Sequence, residues 1–179
     1  MNKRTLNPGV SAAARPAPTN ELAVLPKSQE IVELLAKTAR SLDAGDPKRA
    51  LDLIDRARLN SPWLTNALGV CHLRLGNAKI AMDAFRGLVL AGGGILLRSD
   101  VPVVFKTNFA ISLLMLDNLG GCLSILAELQ EDEHPAVGRL KRAVQRWKQG
   151  LSWWEKMRWY LGGQIAQPVV LDFPPGDLE

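Results

Sequence analysis

The chain has 179 residues, 47% hydrophobic and 22% charged, with a formal net charge of +4; that length suits one domain with tails, and the composition is that of a soluble globular chain. No run approaches the roughly 18 consecutive apolar residues a transmembrane helix needs. No apolar block follows Lys3 and Arg4 as in a secretory signal, and two cysteines are too few for a disulfide framework. A cytoplasmic address is expected.

Residues 1–27 hold Pro8, Gly9, Pro16, Pro18 and Pro26 without hydrophobic periodicity, which predicts a disordered or extended arm. Its arginines, with no acid before Glu21, faintly resemble an organelle transit peptide; a plain tail is the simpler reading. A helical domain is expected over 28–161. Ser28 is placed to cap a helix along which Ile31, Leu34, Leu35 and Leu42 recur at helical spacing. Gly45-Asp46-Pro47 ends it and opens a second helix carrying Ala50, Ile54 and Ala57, with Pro62 beyond.

Residues 62–90 read as another pair of antiparallel helices, joined at Gly76-Asn77. Gly69 and Ala81 are small where the two backbones approach, and Leu68, Phe85 and Leu88 fill the space between. Gly45 to Gly76, Ala50 to Ala81 and Ile54 to Phe85 share one offset, so the two hairpins are copies of one unit. A third copy follows an insertion that starts at Gly92-Gly93-Gly94 and ends at Asp100-Val101-Pro102. It places Phe109-Ala110 over Leu68-Gly69, Leu116-Asp117 over Leu75-Gly76, Cys122 over Ala81 and Leu126 over Phe85.

Beyond Pro135, the residues Leu140, Val144, Trp147, Leu151, Trp154 and Leu161 form one apolar seam, as a terminal capping helix needs; Gly150 is a place where it could divide in two. Trp153, Met157 and Tyr160 make a second stripe beside it. Residues 162–179 contain Pro168, Pro174 and Pro175 around Val169-Val170-Leu171, and read as an extended tail. Seven basic residues oppose Glu155 alone between Gly138 and Tyr160, whereas the charges after Gly163 are Asp172, Asp177 and Glu179, all acidic. Such asymmetry speaks to contacts.

The Leu-Gly pair on a first helix followed by Ala-x3-Phe on a second resembles the tetratricopeptide repeat. The resemblance implies an all-α fold, a right-handed solenoid of about three hairpins (30–62, 63–91 and 102–135) closed by a capping helix or helix pair over 136–161. It also implies a concave groove lined by the first helices, which the register assigns to Val32, Leu35, Leu42, Trp63, Asn66, Val70, Arg74, Val104, Thr107, Asn108, Ile111 and Met115. Some relatives grip chaperone C-termini with a clamp of Lys, Asn and Arg; here the clamp positions hold Leu35, Ala39, Ala67, Val104 and Asn108, and Asn108 alone matches.

For catalysis there are two histidines. His72 adjoins Cys71, but neighbouring side chains on a helix diverge by about 100°, so the two form no dyad; His134 reads as a turn residue before Pro135. No zinc spacing, phosphate-binding glycine loop or nucleophile elbow is present, and neither an enzyme nor a cofactor is expected. The expected function is protein-protein interaction, as a scaffold, adaptor or chaperone-like module whose groove takes an extended apolar segment. Residues 164–179 are themselves such a segment, and docking within the chain or into a twin would shelter an aggregation-prone run. The alternative is contact with a membrane or other anionic surface through Arg146, Lys148, Trp153, Lys156, Arg158 and Trp159; nucleic acid is the weaker form of that reading. A packed cap explains the same residues without any partner.

Overall fold

The computed structural model describes residues 29–92, 94–129, 133–163 and 165–179; the expected N-terminal arm and the Ser28 cap lie outside them. Among the described residues the chain is all-helical, in eight helices: α1 Gln29–Asp43, α2 Pro47–Ala57, α3 Pro62–Arg74, α4 Ala78–Val89, α5 Val103–Met115, α6 Leu119–Glu128, α7 Pro135–Gly150 and α8 Trp153–Tyr160.

The helix starts are written in local chemistry. Asp46 accepts from the Arg49 amide at 2.9 Å to open α2, Ser61 accepts from Trp63 to open α3, and Asn118 accepts from Gly121 at 2.9 Å to open α6. Pro47, Pro62 and Pro135 stand in first turns, where a missing N–H costs nothing. His134, read as a turn residue, is the cap of α7: its Nδ1 accepts from the Ala136 amide at 3.3 Å.

The three turns aligned by sequence share one geometry. Gly45, Gly76 and Asp117 all have positive φ, at 74°, 79° and 58°. Each donates its amide three residues back, to Leu42, Leu73 and Leu114, and the next residue donates five back, to Ser41, His72 and Leu113. This pair of bonds is the Schellman closure, which needs one left-handed residue; glycine adopts it freely, and aspartate is among the few others that tolerate it.

Consecutive helices touch from α1 through α6, and α1, α3, α5 and α7 also touch in succession, so the odd-numbered helices form one row and α2, α4 and α6 flank it. Between α3 and α4 the backbones approach so closely that a Cβ on Gly69 would lie 2.5 Å from the Phe85 ring. Phe85, Phe105, Ile111, Val70 and Leu140 are completely or almost completely buried in one continuous core. The insertion after α4 folds back on itself: Leu90 bridges Leu97, and Arg98 pairs with Asp100 at 2.6 Å.

One expectation needs correction. The seam of the capping region is buried at Leu140, Val144, Trp147 and Leu151, but its continuation, Trp154 and Leu161, is exposed. The helix stops after Gly150, and Ser152 with Glu155 starts a new one through a reciprocal capping box. That change of direction turns Trp159 toward the body, its ring edge-on to Trp147 at 6.0 Å, and leaves Trp154 and Leu161 outside.

Candidate functional site

The C-terminal tail lies across the row of α3, α5 and α7, against several of the residues assigned above to a groove. Beginning on α7, Trp147 donates its indole N–H to the Gln167 carbonyl at 2.8 Å, Arg146 pairs with Asp172, and the Arg139 guanidinium stands 5.9 Å from the centre of the Phe173 ring. The tail thus passes along α7 toward its N-terminal end. Val169, Leu171, Phe173 and Leu178 are partly buried against the core.

Gly176 then crosses to α3. It is buried at φ +84°, and a Cβ there would meet Val70 and Leu73 side chains at 3.1 Å. Its carbonyl accepts from Arg74 Nη2 at 3.3 Å, while Arg74 Nη1 donates to the Leu42 carbonyl at 3.0 Å, so one guanidinium ties the end of α1 to the tail.

Asp177 is the centre of the site. Asn108 Oδ1 accepts from its amide at 2.9 Å, and Asn108 Nδ2 donates to its carbonyl at 2.7 Å. Asn66 joins through its Oδ1, which accepts from Asn108 Nδ2 at 2.9 Å, and through its Nδ2, which donates to the same carbonyl at 3.4 Å. Both asparagines are completely buried. Because the Asp177 N–H can only donate, it fixes which amide atom of Asn108 faces it. A buried main-chain group left without a partner costs about 1–3 kcal/mol, and an irregular segment has no ladder to supply one. Asn108 supplies both, as a neighbouring strand would. Arg139 holds the Asp177 side chain at 2.7 Å.

The charge asymmetry has its explanation here, since α7 cations meet tail acids. The Arg146 hydrogen bond holds the Asp172 carboxyl below its ordinary value.

The other residues assigned to the expected groove divide by depth. Leu42, Val104, Thr107 and Ile111 belong to the interior, with Thr107 Oγ1 donating to the Val103 carbonyl of its own helix at 2.9 Å. Leu35 and Met115 are partly buried, and Val32 is exposed. Trp63 is half-buried with its ring edge-on to Phe105, centres 5.0 Å apart, so α5 already takes one edge of it. Of the residues assigned to an anionic surface, Arg146 is engaged with the tail, and Lys148 lies 4.8 Å from the centre of the Trp159 ring. Trp153, Lys156 and Arg158 are exposed on α8. Asn66, Val70, Arg74 and Asn108 all lie against the tail, together with Arg139, Trp147, Gly176 and Asp177, which the sequence pattern did not single out. The signal for Arg139 was the basic helix facing an all-acidic tail.

Cys71 and Cys122 are buried thiols that burial pushes up to about 12. Neither is a thiolate at neutral pH. Among the described residues no group of three or more His, Cys, Asp or Glu side chains is placed to hold a metal ion, and no helix is long and apolar enough to cross a membrane.

Against protein-family models, curated proteins and solved structures, the chain finds no match.

Proposed function

We propose that this chain is a non-catalytic protein-binding module in which α1–α2, α3–α4 and α5–α6 are three tetratricopeptide-like hairpins, stacked as a short solenoid and capped by α7 and α8. The repeated Schellman turns and the Gly69–Phe85 contact support the repeat reading. The ligand is an extended segment, and the chain's own tail is its first occupant. The observation that carries this reading is Asn108 gripping both main-chain groups of Asp177 in a buried site. A main-chain grip takes any extended peptide, and selection falls to the surroundings: a glycine beside Val70 and Leu73, then an acidic side chain within reach of Arg139.

Removal of residues 164–179 tests this. Stripping the partly buried Val169, Leu171, Phe173 and Leu178 costs roughly 2–4 kcal/mol after the ordering entropy of the tail is set against it, or about 5–15 °C in melting temperature for a chain of this size. A synthetic peptide of residues 164–179 added back should bind the truncated chain and restore much of that loss. An unchanged melting temperature and oligomer size, with no peptide binding, would dispose of the reading.

A further inference from the structure

α8 is an unusual helix for a folded chain, because none of its residues is buried. Its residues sort by face. At about 100° per residue, Tyr160, Trp153, Met157, Leu161 and Trp154 fall on one continuous arc. Glu155 and Trp159 fall on the opposite side, where Trp159 meets Trp147. Lys156 borders the arc on one edge and Arg158 on the other. The arc is open to solvent: Trp154 is 72% exposed, Tyr160 86% and Leu161 84%.

We infer that this face is an interfacial anchor that seats on the surface of an anionic lipid bilayer. The occupant follows from the side-chain chemistry. Tryptophan and tyrosine have an apolar body and a polar edge, which suits the boundary between acyl chains and headgroups and suits a dry protein core less well. Lysine and arginine at the borders reach up to lipid phosphates while their stems lie along the apolar surface. The one acid of the helix, Glu155, is turned away and occupied by its own cap: Ser152 donates to its carboxylate from both amide and hydroxyl, at 2.8 Å and 2.7 Å, which holds its pKa low. The capping box satisfies the Ser152 and Glu155 amides from within the segment, which lowers the cost of bringing this end of the helix to a low-dielectric layer. At eight residues it is about 12 Å long, so it lies in the interface and does not span.

The test uses the full chain and vesicles of phosphatidylcholine with one quarter phosphatidylglycerol. Wild type should sediment with them at low salt, release as salt rises, and bind pure phosphatidylcholine at least about tenfold more weakly. The triple variant Trp154→Ser, Tyr160→Ser, Leu161→Ser should lose tenfold or more in partitioning, and Lys156→Glu with Arg158→Glu should abolish the preference for anionic vesicles. Both should keep the wild-type circular dichroism, since the side chains changed are outside the core. Wild type remaining in the supernatant, or a triple variant that sediments as well as wild type, overturns the inference. So does a wild-type dimer in light scattering that becomes a monomer in the triple variant, which would make a second copy the occupant of the face.

Discussion

The tail and α8 adjoin in the chain and are both rich in apolar residues, yet one is packed against the body and the other projects from it. The difference lies in the main chain. The tail has no helical or strand bonding of its own, so packing it down requires outside partners, and Asn108, Asn66, Arg74 and Trp147 provide them one carbonyl or amide at a time. α8 closes its own hydrogen bonds and caps both ends, with Ser152 and Glu155 at the start and a left-handed Gly162 at the finish. An extended apolar segment is therefore useful only where a site is already built for it, whereas a capped helix can present bare apolar side chains to whatever surface arrives.

Breaking the tail's grip should show the contrast most clearly. Asn108→Ala removes the partner of the Asp177 amide and the shorter of the two bonds to its carbonyl, and strands Asn66 Oδ1, at an expected cost of about 1–3 kcal/mol read by chemical denaturation. Gly176→Ala should cost about 1–2 kcal/mol, because the residue is held at φ +84° and its new methyl meets Val70 and Leu73. If either variant matched wild type in stability, the tail would not be held where it lies. Acid should act more gently. Asp172 has a folded pKa below its unfolded one, because Arg146 hydrogen-bonds the carboxylate. The stabilisation from this pair is present above the unfolded value, near 4, and is lost as pH falls through the lower folded value. The pair is solvent-exposed, so the loss should be small and further weakened by salt. Arg146→Ala should remove that acid dependence and leave α8 untouched.

Much of this was legible in the residues because it is local. The turns at Gly45, Gly76 and Asp117, the small residues where α3 meets α4, and the mismatch of charge between α7 and the tail can all be read along the chain. The break between α7 and α8 was legible too, but competed with a stronger-looking pattern. Gly150 marks a possible division, but the heptad-like run Leu140, Val144, Trp147, Leu151, Trp154, Leu161 continues smoothly across it and keeps Trp154 and Leu161 on the seam, although Ser152-Trp153-Trp154-Glu155 is a capping-box signature. Not legible was the register of the tail. Nothing in the spacing of Asn66 and Asn108 says that their side chains would meet, since they come together only when α3 and α5 pack side by side. A face read as mostly apolar holds the tail through two completely buried polar side chains, Asn66 and Asn108.

The most direct measurement is amide hydrogen exchange at Asp177. Its N–H is bonded to a buried asparagine, so it exchanges only when the tail lifts. With docking worth roughly 2–4 kcal/mol, exchange should be slowed by about 30- to 1,000-fold relative to an unstructured peptide, and Asn108→Ala should return it to near the free rate. Exchange at the free-peptide rate in the wild-type chain would mean that the groove is empty and that the tail is not its ligand.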